Sequence, residues 1–312
     1  MATTTLTREG TIYTSTARFD SDQRALTEKE LKLLAPSIFA REAHESRSER
    51  FAPIPTIEVL RHIAKEGFVP VGVKESTARD PGKAPFTKHL IRLRRLDGQQ
   101  RQVGDTVFEM LMKNANDGSA AYHLLAGLWR IRCMNSLVTQ DRKLGEVAIR
   151  HTGDAPKEVL EASFKVLERA DTTLQTAARW GKVELKEIER LNFAKKAHKR
   201  AFVDKHLKGL SPDDRAKADV TRATYGVASA VKPAMLLEAR RDGDKGTDLW
   251  TTFNVIQENV IKGGQSGYGH DSVGRACNYT SRPVKSIDAD VTMNTFLWGL
   301  ADELATKKGA LV

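Results

Sequence analysis

Basic residues occupy alternate positions in three short segments, which is the spacing of one face of a β-strand. Between Lys88 and Arg94, the side chains of Lys88, Arg92 and Arg94 share one side, with Leu90 as an apolar exception. The same division recurs further along the chain, with cationic positions at Arg130, Arg132 and Arg150. Because each neutralised phosphate releases counterions, such a face would suit sequence-independent binding of nucleic acid. A solvated outer face of an antiparallel sheet has the same pattern, so both interpretations stay open.

A second cationic element is rich in glycine. Five glycines lie between residues 262 and 285, with a single acid, Asp271. The basic residues of this stretch are Lys262, Arg275, Arg282 and Lys285. We predict a loop over 263–286 whose backbone, with Tyr268 and Tyr279, could wrap a strand or a phosphate. It has no GxxxxGK[ST] pattern, and a mobile surface loop without a ligand is the alternative.

The densest polar cluster of the chain is a possible catalytic site. It consists of His44, Glu45, Arg47, Glu49 and Arg50. An imidazole beside carboxylates could bind a metal or transfer protons. An ion-pair network that locks a loop is the interpretation we favour.

Other catalytic constellations are weaker. Asp288 and Asp290 could hold Mg²⁺ with a phosphate, although acids at a helix start also serve as caps. No Ser/His/Asp or Cys/His triad can be assembled without arbitrary choice. We therefore assign no cofactor, no metal and no catalytic residue from the sequence.

Composition limits the class of protein. The chain has 312 residues, 40% of them hydrophobic, which is enough for a substantial core. Lys and Arg number 50 against 40 Asp and Glu, a formal charge of +10 that favours an anionic partner. The two cysteines form no metal-binding or disulfide pattern, and no apolar run is long enough to span a bilayer. We expect a cytoplasmic protein with no membrane partner.

Periodicity divides the chain into three parts. Residues 1–25 are interpreted as a flexible tail, and residues 26–153 as helix plus antiparallel sheet. Thr27 and Glu30 form a capping-box pattern at the start of the first helix. Strands are predicted over 68–74, 89–96, 106–114, 121–134 and 146–151, and short links between them favour a meander.

The remaining residues, 154–312, are predicted to be largely helical. Helices are expected from Asp154, over 185–205, from Asp248 to a stop at Gly263, and over 290–307. Residues 185–245 look like a variable insertion. The fold class is therefore α+β, a central antiparallel β-meander with helices packed on one face and a helical C-terminal part, as one compact domain.

Several strings resemble an uncharacterised phage- and plasmid-borne family that includes the YafZ and YfjQ proteins. The resemblance is carried by the strings HESRSERFAPIPT at 44–56, TKHLIRLRR at 87–95, NDGS at 116–119, DLWTTFN at 248–254, QEN at 257–259 and KGG at 262–264. It covers about residues 26 to 305, and 185–245 match least. The family implies no established activity, but carriage on mobile elements favours DNA metabolism.

Three hypotheses follow. The first is a single-stranded DNA binding or annealing protein that acts as a homo-oligomer. The second is a metal-dependent enzyme acting on nucleic acid, built around His44, Glu45, Glu49, Asp117 or Asp288. The third is a protein-interaction module such as an inhibitor of host defence.

Overall fold

The computed structural model describes residues 13–14, 24–96, 102–103, 106–130, 135–138, 146–153, 158–159, 161, 166, 170–204 and 225–310. The chain divides into two compact units. The first unit contains residues 1–176 and 285–287, and the second contains 177–284 and 288–312. The sequence-based division instead treats 26–153 and 154–312 as parts of one domain.

The first unit is built on an antiparallel sheet. Its strands are β1 (Tyr13–Thr14), β2 (Phe68–Glu75), β3 (His89–Arg95), β4 (Gln102–Val103), β5 (Thr106–Asn114), β6 (Tyr122–Arg130), β7 (Asn135–Val138) and β8 (Glu146–Ile149). The main path runs β1-β2-β3-β5-β6-β7, while β4 pairs with β5 and β8 pairs with β6. Long strands that follow one another in sequence are therefore neighbours, and the predicted meander is confirmed.

Most predicted strands agree with the structure to within two residues. Strand β6 runs unbroken through Gly127, where a Cβ would lie 2.8 Å from a methyl group of Leu111. The predicted continuation over 131–134 lies outside the described residues. Within the predicted N-terminal tail, Tyr13 and Thr14 pair with Val73 and Gly72 of β2, and the other residues before Arg24 are not described.

Two helices lie between β1 and β2 in the chain. They are α1 (Glu28–Leu34) and α2 (Thr56–Lys65), with a 3₁₀ turn at Pro36–Phe39 between them. The predicted capping box is present, since Thr27 Oγ1 accepts from Glu30 N at 3.3 Å and Glu30 Oε2 accepts from Thr27 N at 2.8 Å. Side chains from both the 3₁₀ turn and α2 contact His89, so these elements lie on the sheet face that carries His89.

The second unit is mainly helical. After α3 (Ala170–Trp180), which begins in the first unit, come α4 (Glu187–His198), α5 (Gly226–Ala230), α6 (Leu249–Lys262) and α7 (Ile287–Lys307). Its core contains a cluster of large rings from three helices: Trp180, Trp250, Phe253 and Trp298. The fold is thus α+β with a helical C-terminal part. In the described part of the chain, no helix combines the length and the hydropathy needed to cross a membrane.

The glycine-rich stretch differs from the predicted loop. It contains a β-hairpin, β9 (Ser266–His270) and β10 (Ala276–Thr280), joined by a turn at 271–275. Gly263 ends α6 with φ +63°, as predicted, and a Cβ there would lie 2.6 Å from Ser281 O. Alternation in the hairpin is masked in the sequence because glycine occupies every inward position of β9.

Candidate nucleic-acid interface

Arg92 and Arg94 share one face of β3, as predicted, but that face is buried. Each side chain is 3% exposed, and both guanidinium groups donate to Glu109 on β5, which is 1% exposed. Arg92 Nε and Nη2 lie 2.8 Å from Glu109 Oε2 and Oε1, and Arg94 Nε lies 2.8 Å from Oε1. The expectation that these arginines form an exposed cationic surface is therefore wrong.

The reason is that the sheet is covered on both faces. In β3, every residue from His89 to Arg94 is buried, whichever side it faces. Alternation identifies the residues that share a face, but it carries no information on what covers that face. Glu109 is the partner that sequence analysis missed. The available signal was a single acid among the apolar residues Val107–Met112 of strand β5.

The three charged groups depend on one another. Burial alone would raise the pKa of Glu109, but the charges of Arg92 and Arg94 and their hydrogen bonds outweigh it and lower that pKa. The carboxylate consequently stays ionised between two cations. A buried charge that loses its partner is strongly destabilising, so the triad ties β3 to β5.

The other predicted positions on the sheet are scattered. Lys88 is half-buried just before β3, and Arg150 is exposed just after β8. Arg130 belongs to β6, but its side chain lies outside the described part, as does the whole of Arg132. The described residues therefore do not assemble the broad cationic face that the sequence suggests.

The β9–β10 hairpin presents one face to solvent. Ser266, Tyr268 and His270 on β9 are exposed, and they pair with Thr280, Asn278 and Ala276 on β10, which are exposed as well. Tyr268 is 79% exposed, the highest value among the exposed large hydrophobic side chains of the described residues. Val273, in the turn, is 70% exposed.

The opposite face of β9 consists of two glycines that touch α5. A Cβ on Gly267 would lie 2.5 Å from Ala230 O, and one on Gly269 would lie 2.8 Å from Ala230 N. In addition, His270 N donates to Ser229 Oγ at 3.0 Å. Only glycine permits this close approach of strand and helix, which fixes the hairpin against α5.

The four predicted basic residues of this region have different surroundings. Lys262, on α6, is paired with the buried Glu258 at 2.9 Å. Arg275 is 78% exposed and pairs with Asp271 at 2.9 Å, while Arg282 is exposed just after β10. Lys285 is exposed but belongs to the first unit. Arg275 and Arg282 are thus the cations that flank β10 in the chain.

The polar cluster at 44–50 is held mainly by hydrogen bonds. His44 is buried, its Nδ1 lies 2.9 Å from Ser46 Oγ, and its ring meets that of Phe86 edge-on at 5.5 Å. The charged side chains of the cluster are exposed: Glu45, Arg47, Glu49 and Arg50. Over the described ranges, the structure records no ion pair for them, so the predicted ion-pair network is wrong.

The segment that follows this cluster is held by the latch, a set of buried hydrogen bonds that joins Ile54 and Thr56 to Asn114, Asn116 and His89. Ile54 N donates to Asn116 Oδ1 at 3.1 Å, and Asn114 Nδ2 donates to Ile54 O at 3.0 Å. Asn114 Nδ2 also donates to Thr56 Oγ1 at 3.0 Å. Thr56 is the first residue of α2, and its hydroxyl bonds with Asn114 and His89 instead of capping the backbone of that helix.

His89 lies at the centre of this latch. Its Nδ1 is 2.8 Å from Ser37 Oγ, and its Nε2 is 2.9 Å from Thr56 Oγ1. Burial lowers the pKa of His89, while a hydrogen bond with the backbone of Thr87 raises it. The effect of burial is the larger, and the pKa is about 4. The ring is neutral at physiological pH and enclosed by protein, so it acts as a structural connector.

A second set of buried polar groups braces α6. Asn259 Nδ2 donates to Glu238 O at 2.9 Å, and Arg240 Nε donates to Asn259 Oδ1 at 2.8 Å. Glu258 accepts from both Arg241 and Lys262. These bonds fasten the segment before α6 to the helix.

Metal-ligating side chains are dispersed. Among the residues that the structure describes, no three His, Cys, Asp or Glu side chains come close enough to hold a metal ion. Asp117 binds the backbone of its own turn, with Ser119 N at 2.8 Å from Oδ1. The residues named for a metal enzyme thus form no three-ligand cluster within the described ranges.

Comparison with known proteins gives a family but no chemistry. A family model described as a domain of unknown function, DUF932, matches residues 43–298. The chain belongs to the DUF932 family. It is 36% identical over 284 residues to the UPF0380 protein YafZ of Escherichia coli strain K12, covering 91% of this chain and 93% of the relative. The UPF0380 protein YfjQ of the same strain is 36% identical over 287 residues, with the same coverage. No solved structure matches.

Several residues that carry the DUF932 resemblance are parts of the latch and of the α6 brace. Thr56 and Asn116 belong to the latch, while Glu258 and Asn259 belong to the brace. The Gly263 backbone conformation completes the brace, since Arg240 also donates to Gly263 O. In this DUF932 chain, these motif residues thus maintain the fold.

Proposed function

We propose that this DUF932 protein binds nucleic acid, with single-stranded DNA as the favoured partner, through the exposed face of the β9–β10 hairpin. The observation that carries the proposal is an exposed aromatic residue, Tyr268, on a hairpin whose second strand is flanked by two exposed arginines, Arg275 and Arg282. Aromatic rings and cations are the two groups from which sequence-tolerant single-strand sites are built.

The ion pair of Arg275 is compatible with this role. Arg275 Nε and Asp271 Oδ2 meet at the surface, where such pairs contribute only about 0–1 kcal/mol. A phosphate can therefore replace or share the carboxylate at little energetic cost. Arg92 and Arg94 cannot make this exchange because they are enclosed with Glu109.

The net charge of the chain supports the same partner. The formal charge of +10 would favour encounter with a polyanion at any part of the surface. The proposal includes a role in the DNA metabolism of phages or plasmids. It also includes a cytoplasmic location and a homo-oligomeric state. Light scattering with and without oligonucleotide tests the oligomer.

The test is binding to mixed-sequence oligonucleotides at several salt concentrations. We expect the full chain to bind single-stranded DNA, and the double variant Arg275→Gln/Arg282→Gln to lose about 10-fold in affinity. Losing two phosphate contacts should make the negative slope of the logarithm of the association constant against the logarithm of the salt concentration shallower by about 1.4 for a single strand.

The matched control removes the same charge from the first unit. Arg41→Gln/Lys65→Gln changes two exposed cations outside the hairpin and should leave the affinity within about 2-fold, since their charges would act only through general attraction that salt screens. Equal losses in both double variants would show that net charge, and not the hairpin, determines binding. No binding by the full chain at low salt would refute the function itself.

A further inference from the structure

The two faces of β9 differ in what they can do. Its inward positions, Gly267 and Gly269, have no side chains, and their backbone meets α5. Its outward positions carry every side chain of the strand, with two rings, Tyr268 and His270, two residues apart. Residues at that spacing lie about 7 Å apart along a strand and point the same way.

Tyr268 combines a fixed backbone with an uncovered ring. The backbone of β9 is fixed by close contact with Ala230 and by the hydrogen bond from His270 N to Ser229 Oγ. Yet Tyr268 is 79% exposed, so its ring stabilises the fold little by burial. A binding group on a fixed backbone loses less conformational entropy when a ligand orders it.

The neighbours of Tyr268 leave room beside the ring. Its direct cross-strand partner is Asn278, and the outward residues around this pair include the small side chains Ser266, Ala276 and Thr280. A planar group can therefore approach the ring face. The amide of Asn278 adds one donor and one acceptor next to it, which suits the polar edge of a base.

We infer that Tyr268 is a stacking platform for an unpaired nucleobase, with His270 as the neighbouring ring, and that it makes the hairpin selective for single strands. The inference rests on the proposed function and deepens it. In a duplex, each internal base is already stacked on both faces, so its rings are out of reach of a tyrosine. In a single strand, the bases are free to stack on protein rings while phosphates meet Arg275 and Arg282.

The experiment compares single-stranded, duplex and abasic single-stranded DNA of equal length, the two single strands having equal charge. The proteins are the full chain and the variants Tyr268→Ala, Tyr268→Phe and Val273→Ala. Val273→Ala is the matched control because Val273 is a similarly exposed apolar residue of the same hairpin that offers no ring. Circular dichroism verifies that each variant is folded.

We expect Tyr268→Ala to weaken single-strand binding by about 10-fold, the order found for loss of one stacked base. Tyr268→Phe and Val273→Ala should stay within about 2-fold of the unmodified chain, and duplex affinity should not change with any of them. With the unmodified chain, an abasic single strand should bind about 10-fold more weakly than a normal single strand. This last comparison needs no substitution, so it holds even if a variant fails to fold.

Three results would overturn the inference. If Tyr268→Ala and abasic DNA both keep full affinity, stacking is wrong while nucleic-acid binding stands. If Tyr268→Phe is as weak as Tyr268→Ala, the phenol hydroxyl and not the ring makes the contact. If the full chain ignores all three DNAs and binds a protein through Tyr268, both the inference and the proposed function fail.

Discussion

Strand β3 in the first unit and the β9–β10 hairpin in the second both carry arginines, but the guanidinium groups have opposite environments. Arg92 and Arg94 are enclosed with Glu109 and connect two strands. Arg275 remains 78% exposed, and its ion pair is at the surface. The difference lies in what covers each face, which side-chain alternation cannot reveal.

The comparison also shows how each unit uses polar groups. In the first unit, several buried polar side chains bond with one another, as in the contact of His89 with Ser37 and Thr56. In strand β9 of the hairpin, every side chain points outward because the inward positions are glycines. The first arrangement stabilises a fold, and the second leaves groups available to a ligand.

The largest expected effect concerns the buried triad. Glu109→Gln should lower the free energy of unfolding by about 3–5 kcal/mol, because Arg92 and Arg94 would then lose the buried carboxylate with which both are paired. Urea denaturation measures it. Arg275→Gln, in the exposed pair, should change stability by less than about 1 kcal/mol. Similar losses in the two variants would contradict the contrast between the regions.

A second expected effect is the pH dependence that arises from His89. Its pKa is about 4 in the folded chain and 6.5 when unfolded, so the unfolded state binds more protons between these values. Stability from this group is therefore complete above about pH 6.5 and is lost as the pH falls to 4, by about 3 kcal/mol.

The variant His89→Gln cannot take up a proton in this range. Its unfolding free energy, measured by urea titration from pH 7 to 4, should fall less steeply than that of the unmodified chain. Parallel curves for the two proteins would mean that other groups account for the extra protons bound by the unfolded state. His89 could then be protonated within the latch.

The smallest expected effect tests the anchor of the hairpin. Gly269→Ala would place a Cβ against Ala230 N and should destabilise the protein by roughly 1–3 kcal/mol. Gly299→Ala is the control, since Gly299 lies in α7 with nothing within 4 Å of a Cβ, and it should stabilise by about 0.5–1 kcal/mol. Thermal unfolding of both variants measures these changes in stability. An unaffected Gly269→Ala would show that the strand is not fixed against α5.

Much of the fold could be predicted because local signals determine it. The capping box at Thr27, the β-branched and apolar runs of the meander, and the glycine stop at Gly263 each depend on neighbours in the chain. Strand β5 was predicted with the observed bounds, Thr106–Asn114, for the same reason.

The parts that could not be predicted depend on distant partners. Whether Arg92 meets solvent or Glu109 is decided by the packing of the whole sheet, and whether Thr56 caps a helix or binds His89 is decided by a strand more than thirty residues away. The hairpin escaped detection because Gly267 and Gly269 replace the apolar residues that normally mark the inner face of a strand.

The contact of β9 with α5 has a consequence for how this strand can evolve. Substitutions at 267 and 269 are judged by the fold, because any side chain there meets α5. Substitutions at 266, 268 and 270 are judged by whatever the hairpin touches, because those side chains face outward. We therefore expect alternating selection along this short strand, with glycine retained at 267 and 269 and the positions between and beside them free to follow a changing ligand.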